Sequence, residues 1–137
     1  MKFLALDQIR QMVEMAEQAR SGLSEYVGYE VAYDAIALQL LDEWIDRHTQ
    51  QFPQPSQKMY LLWVSFLGEV LRRHHEGEWA LLEDDEGGGM AILCPQSDGG
   101  RHIAKVSRQV RRRITDGMSA SLSYFYTITS IELKATE

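Results

Sequence analysis

The chain has 137 residues, 45% of them hydrophobic and 25% charged, which is the composition of an average soluble globular domain. These values exclude a disordered tail, a collagen-like fibre and a solenoid. The formal charge of −6 gives no overall attraction to a phosphate backbone. We therefore expect one α+β domain over residues 1–137 that needs neither disulfides nor metal to fold.

Two apolar stretches bear on the cellular location. The run Phe3–Leu6 is shorter than the core of a signal peptide, which needs about 7 to 15 apolar residues. The window Met59–Val70 is interrupted by polar residues and is too short to span a bilayer. The lone cysteine, Cys94, suits a reducing compartment. We expect a cytoplasmic protein without a membrane partner.

A first helix is predicted over Asp7–Arg20. Apolar residues recur there at three- and four-residue steps, and the side chain of Asp7 can cap the helix. The following segment, Ser21–Glu30, contains Gly22 and Gly28. It is predicted to be a connecting loop, since glycine supplies the backbone angles that loops require.

Prolines mark the boundary between the second and third helices. The second helix has an apolar stripe over Tyr33–Ile45 and cannot continue through Pro53 and Pro55. Ser56 can cap a third helix, which is apolar on nearly all sides and is expected to end with Gly77 in the left-handed conformation. This helix must be covered by its own chain or by a second copy, so a homodimer stays open.

A small antiparallel hairpin and further helices are predicted after the third helix. The apolar runs Trp79–Leu82 and Met90–Leu93 are separated by acidic residues and glycines, which is typical of a hairpin. A fourth helix is expected over residues 103–116. Its apolar face would carry Ile103, Val106, Val110 and Ile114. The last stretch, Ser119–Leu133, fits either a helix or a strand, and we expect a helix in its first half.

Several short motifs occur together in the middle of the chain. Leu67–Val70 (LGEV) closes the third helix and Gly77–Trp79 (GEW) opens the hairpin, after which the fourth helix leads to Phe125 and Tyr126. In this arrangement residues 59–126 resemble a family of small bacterial α+β domains of unknown function. The resemblance implies a bacterial source and, through some relatives, a role as an immunity protein of a toxin system. It implies no catalytic residues.

Charge is distributed unevenly along the chain, with a net −4 over residues 1–60, −6 over 61–100 and +4 over 101–137. The positive part lies on the predicted fourth helix and just before it. The candidate partner- or anion-binding residues are Arg101, Lys105, Arg108, Arg111 and Arg112, with Arg113 beside them. They predict either a surface for an acidic protein, a phosphate or nucleic acid, or a solvated face that pairs with local carboxylates.

The loop of the predicted hairpin is acidic. Its candidate partner-binding residues are Glu83, Asp84, Asp85 and Glu86. Consecutive acids lack the alternate spacing of an EF-hand loop, so no metal site is predicted there. The loop either attracts a basic partner or keeps the hairpin soluble and its edges unpaired.

Glu69 is the one acidic residue in the middle of the apolar third helix. It could be a buried general acid whose pKa is raised by its surroundings. The simpler interpretation is an ion pair with Arg72 or Arg73, three and four residues further on. We favour the ion pair.

Histidine and cysteine offer two further candidates for chemistry. His74 and His75 are adjacent, so their side chains point about 100° apart on a helix and suit capping of its end better than metal binding. Cys94 has only His102 as a nearby base and no third group to orient it. We expect an inert, half-buried thiol and no cofactor.

Three functions follow from these patterns. The first is a non-catalytic protein-binding module of the immunity or adaptor kind, which presents the acidic loop and the basic helix to a partner. The alternative is a phosphate or nucleic-acid binder that uses the basic helix 103–116. An enzyme ranks last, because no pair of catalytic groups has a recognisable spacing.

Overall fold

Three helices precede most of the sheet, and two helices follow it. The computed structural model describes residues 1–83 and 89–134. Within these ranges the strands are β1 (Lys2–Phe3), β2 (Glu78–Leu82), β3 (Gly89–Pro95) and β4 (Arg101–Ala104). The helices are α1 (Leu6–Val27), α2 (Ala35–Gln51), α3 (Gln57–His75), α4 (Val106–Asp116) and α5 (Leu122–Lys134), with a 3₁₀ turn at Gly117–Ala120. The predicted α+β class is confirmed.

The strands form one antiparallel sheet in the order β1-β2-β3-β4. The sequence predicted its central hairpin, and the register joins Trp79 to Ile92 and Leu81 to Met90. The two outer strands were not predicted. β1 has only two residues, and β4 has four. Strands this short carry too little pattern to stand out in a sequence.

The last two residues of β4 were wrongly assigned to the fourth helix. Ile103 was placed on the apolar helical face, but it pairs with Leu93 in the sheet and is 39% exposed. The helix itself begins at Val106. The spacing from Ile103 to Val106 imitates a helical step only because a strand ends directly where α4 begins.

Helix α1 is longer than the sequence predicted. It begins one residue earlier and continues past Arg20 as far as Gly28, which ends it in the left-handed conformation with φ 82°. Most of the predicted loop Ser21–Glu30 is therefore helical, and that prediction was wrong. Burial of Leu23 in the core offsets the cost of Gly22 inside the helix.

Helix α3 forms the centre of the core. Asp34 and Ser56 cap α2 and α3 by accepting hydrogen bonds from the backbone N–H groups of Ala37 (2.8 Å) and Met59 (3.1 Å). Every residue of α3 from 62 to 71 is buried. The chain itself thus covers the helix that is apolar on nearly all sides.

The end of α3 differs from the prediction. Glu76, rather than Gly77, adopts the left-handed conformation, with φ 52°. Gly77 serves close packing instead, because a Cβ atom there would overlap the side chain of Ile92.

Helix α5 extends over Leu122–Lys134, so the ambiguous stretch is helical in both halves. Leu122 and Leu133, at its two ends, are buried in the same core cluster as Leu4 near the start of the chain. In the described part of the chain, no helix combines the length and apolar character needed to cross a membrane.

Two glycines provide a matched test of this packing. A Cβ atom on Gly68 would overlap the buried ring of Trp79, whereas one on Gly22 would lie 3.6 Å from Trp44, at ordinary contact distance. We expect Gly68→Ala to lower the free energy of unfolding by about 3 kcal/mol through overpacking. Gly22→Ala should raise it by about 0.5–1 kcal/mol, because alanine is the better helix former. Urea unfolding checks both values, and a Gly68→Ala protein as stable as the wild type would contradict this packing.

Candidate functional site

A groove of about 270 Å³ lies where β4, α4 and α5 meet. Its lining combines cationic, polar and apolar side chains. They are His102, Ile103, Lys105, Arg108, Gln109, Arg112, Phe125, Ile128, Thr129 and Glu132. Three of the basic residues predicted from the sequence therefore come together here, and α5 supplies a wall that the sequence did not indicate.

One wall of the groove is cationic. Arg108 and Arg112 are four residues apart and lie on one face of α4, and Lys105 directly precedes the helix as its N-cap residue. Arg112 is 3.9 Å from Asp116, measured from Nε to Oδ2, and both side chains are about half exposed. An exposed pair at this distance contributes little to stability. Arg112 can therefore exchange this carboxylate for that of a ligand at small cost.

The opposite wall of the groove is largely apolar. Phe125 and Ile128 of α5 are half-buried. Glu132 is the acidic residue of the lining. The arrangement can hold a carboxylate or a phosphate on one side while it buries an apolar group on the other.

The remaining basic residues of this region lie elsewhere. Arg101 is exposed at the start of β4. Arg111 is half-buried and donates a hydrogen bond to the Tyr60 hydroxyl at 3.1 Å. Arg113 was expected beside the basic face, but it is 1% exposed and pairs inside the protein, so that expectation was wrong.

The wall formed by α5 is held in place by a buried carboxylate on α2. Asp42 is 2% exposed, and its Oδ1 accepts hydrogen bonds from Arg113 Nε at 2.8 Å and from the Leu122 N–H at 3.0 Å. Its Oδ2 accepts from the Ser121 hydroxyl at 2.8 Å and from the Ser123 N–H at 3.1 Å. Asp42 therefore caps the first turn of α5 and fixes the last turn of α4 at the same time.

The acidic loop lies mostly outside the described residues. This applies to Asp84, Asp85 and Glu86, whose predicted role in partner binding stays a prediction. Glu83 is described. It is exposed, and its Oε2 lies 3.5 Å from the Lys2 ammonium across the sheet edge.

Glu69 is the centre of a buried ion cluster rather than a general acid. Its side chain has no exposed surface and accepts hydrogen bonds from Arg72 (2.6 and 2.7 Å), Arg73 (2.9 Å) and the Trp79 indole (2.8 Å). Burial alone would raise the pKa of this carboxyl, but the hydrogen bonds from Arg72, Trp79 and Arg73 hold the pKa below its ordinary value. The interpretation as an ion pair is confirmed, and the alternative with a raised pKa is wrong.

The two histidines line a second cleft, of about 400 Å³, between the end of α3 and α5. The ring nitrogens of His74 lie 2.6 Å from the Tyr126 hydroxyl and 2.6 Å from the Tyr33 carbonyl. His75 Nε2 lies 2.8 Å from the Ser130 hydroxyl, and burial lowers the pKa of His75. These histidines tie α3 to neighbouring segments. No group of three or more potential metal ligands occurs within the described ranges.

Cys94 is fully buried in β3, opposite His102 of β4. Burial raises the pKa of its thiol to about 11, so the reactive thiolate is scarce at neutral pH. The thiol is therefore more deeply buried than the half-buried position expected from the sequence, and its inertness stays a prediction.

The ion cluster around Glu69 predicts how stability depends on pH. Because the folded-state pKa of Glu69 lies below its ordinary value of 4.5, the charged carboxylate stabilises the fold above that pH, and the effect is lost on further acidification. Glu69→Gln should lower the free energy of unfolding at pH 7 by about 2 kcal/mol, since it removes the charged acceptor of the hydrogen bonds from Arg72, Arg73 and the buried Trp79 indole. The difference from the wild type should shrink at pH 3.

Urea unfolding of both proteins at pH 7 and pH 3 measures this difference. Glu43→Gln, on the exposed side of α2, is the matched control and should change stability by less than about 0.5 kcal/mol. A difference for Glu69→Gln that stays constant or grows at pH 3 would mean that Glu69 is not held in its charged form.

The site has to be interpreted from its own geometry. Comparison of the chain with models of protein families, with curated proteins and with solved structures finds no match. The resemblance of residues 59–126 to small bacterial domains accordingly stays an expectation. What the described residues offer is a cationic groove with an apolar wall, two structural ion clusters and a buried thiol.

Proposed function

We propose that this protein is a non-catalytic binding module, of the immunity or adaptor kind, which binds an acidic segment of a partner protein in the groove between β4, α4 and α5. The observation that carries the proposal is the pairing of the cationic wall (Lys105, Arg108 and Arg112) with the apolar wall (Phe125 and Ile128). Carboxylates of the partner would contact the cationic wall. Apolar side chains of the partner would pack against the apolar wall.

The composition of the groove favours a protein over nucleic acid. A surface that follows a phosphate backbone needs positive charge over many contacts, whereas this chain carries a net charge of −6. Apolar side chains within the lining add affinity for a polypeptide and little for a sugar-phosphate chain. Protein interfaces typically combine an apolar centre with a polar rim, and the groove supplies both.

Charge reversal in the groove tests the proposal. Peptides selected from a displayed random library on the wild-type protein should be rich in Asp and Glu. The double substitution Arg108→Glu with Arg112→Glu should weaken their binding at least about tenfold, because each lost charge contact is worth about 1 kcal/mol or more. Fluorescence anisotropy with labelled peptides measures the affinities.

The control is Arg10→Glu with Lys58→Glu, which reverses two exposed charges on α1 and α3 and should leave binding nearly unchanged. Equal losses in both double variants would contradict a specific groove. Binding of random duplex DNA, with log affinity falling linearly as log salt rises, would favour the nucleic-acid alternative instead.

A further inference from the structure

Strand β4 forms an edge of the sheet beside the groove. Within the described part of the chain it pairs with β3 alone, through the register from Ile92 and Ala104 to Pro95 and Arg101. An edge strand has backbone N–H and C=O groups on its outer side that can pair with another strand. Residues of β4 also line the groove, so the two features are continuous.

The register identifies which residues of β4 direct their backbone groups outward. Gln96 donates its N–H to the Gly100 carbonyl at 2.8 Å, which makes this a hydrogen-bonded pair of the β3–β4 ladder. Such pairs occur at every second position, so His102 and Ala104 bond to β3. Arg101 and Ile103 therefore direct their N–H and C=O groups away from the sheet.

The opposite edge of the sheet gives the same result independently. The Leu4 N–H donates to the Trp79 carbonyl at 3.3 Å, so Trp79 directs its backbone groups towards β1. Its neighbour Ala80 then bonds to β3, at Ala91. Backbone groups alternate in direction along a strand, so Ile92, which follows Ala91, bonds to β4 at Ala104. The backbone N–H and C=O groups of Arg101 and Ile103 are again directed away from the sheet.

We propose that the acidic partner segment binds in extended form as a fifth strand, paired with the outer edge of β4. This inference rests on the proposed function and specifies how the groove is occupied. Strand addition provides affinity through main-chain hydrogen bonds, and alternate side chains provide the specificity. The segment would run antiparallel or parallel to β4 and pair with Arg101 and Ile103.

Charge and burial fit this occupant. Side chains of an added strand alternate between the two faces of the sheet. Those on the face of Ala104, which is buried against the helices, would reach Arg108, Arg112 and Phe125. Those on the other face would lie beside the exposed Arg101 and Ile103. We therefore expect acidic residues on both faces and an apolar residue next to Phe125.

The test uses the library-selected peptides and the wild-type protein. A single N-methyl group is placed on each peptide residue in turn, which removes one backbone donor. Strand pairing predicts an alternating pattern, with about tenfold weaker binding at every second residue and little change between. Amide hydrogen exchange should show new protection of the Arg101 and Ile103 N–H groups in the complex.

The outcomes separate this inference from the function on which it rests. An alternating pattern with protection of Arg101 and Ile103 supports strand addition. Binding that is lost on Arg108→Glu with Arg112→Glu, but shows neither alternation nor protection, overturns strand addition and leaves the proposed function intact. Binding that does not respond to the charge reversal overturns both.

Discussion

The structure around the groove depends on one buried carboxylate. The carboxylate of Asp42 in α2 accepts four hydrogen bonds, which come from the guanidinium of Arg113 in α4, the Ser121 hydroxyl and the first backbone N–H groups of α5. A buried carboxylate is stable only when its oxygens are fully paired, so each of these partners is constrained by the others. Helix α2 is thereby fixed relative to α4 and α5, which come much later in the chain.

This constraint connects the core to the surface. Arg113 of α4 points inward to Asp42. Because this fixes the rotation of α4 about its axis, Arg108 and Arg112 face the groove. The same carboxylate fixes the start of α5, whose Phe125 and Ile128 form the opposite wall. The ion cluster around Glu69 has a corresponding role near the end of α3, where it joins this helix to Trp79 in the sheet. Both clusters fix the positions of the elements that they join.

The sequence predicted those parts of the fold that local chemistry determines. Ser56 and the prolines before it defined the start of α3, and the spacing from Glu69 to Arg72 predicted their ion pair. Strand β4 could not be recognised, because a four-residue strand next to a helix imitates helical spacing. The Arg113 side chain points into the protein because it pairs with Asp42, 71 positions away in the sequence. No local pattern in a single sequence reveals such a pair. The groove was missed for the same reason, since α5 supplies one of its walls.

Hydrogen exchange in Asp42→Asn measures directly how far this carboxylate holds α5 in place. The substitution keeps the shape of the side chain but removes its charge and puts an amide NH₂ where two donors require an oxygen. Asp46→Asn, at the half-exposed second partner of Arg113, is the matched control. We expect the amide protons of α5 to exchange about a hundredfold faster in Asp42→Asn, while those of β2 and β3 change little and the control resembles the wild type. Unchanged protection of α5 in Asp42→Asn would contradict the claim that this carboxylate holds the wall of the groove.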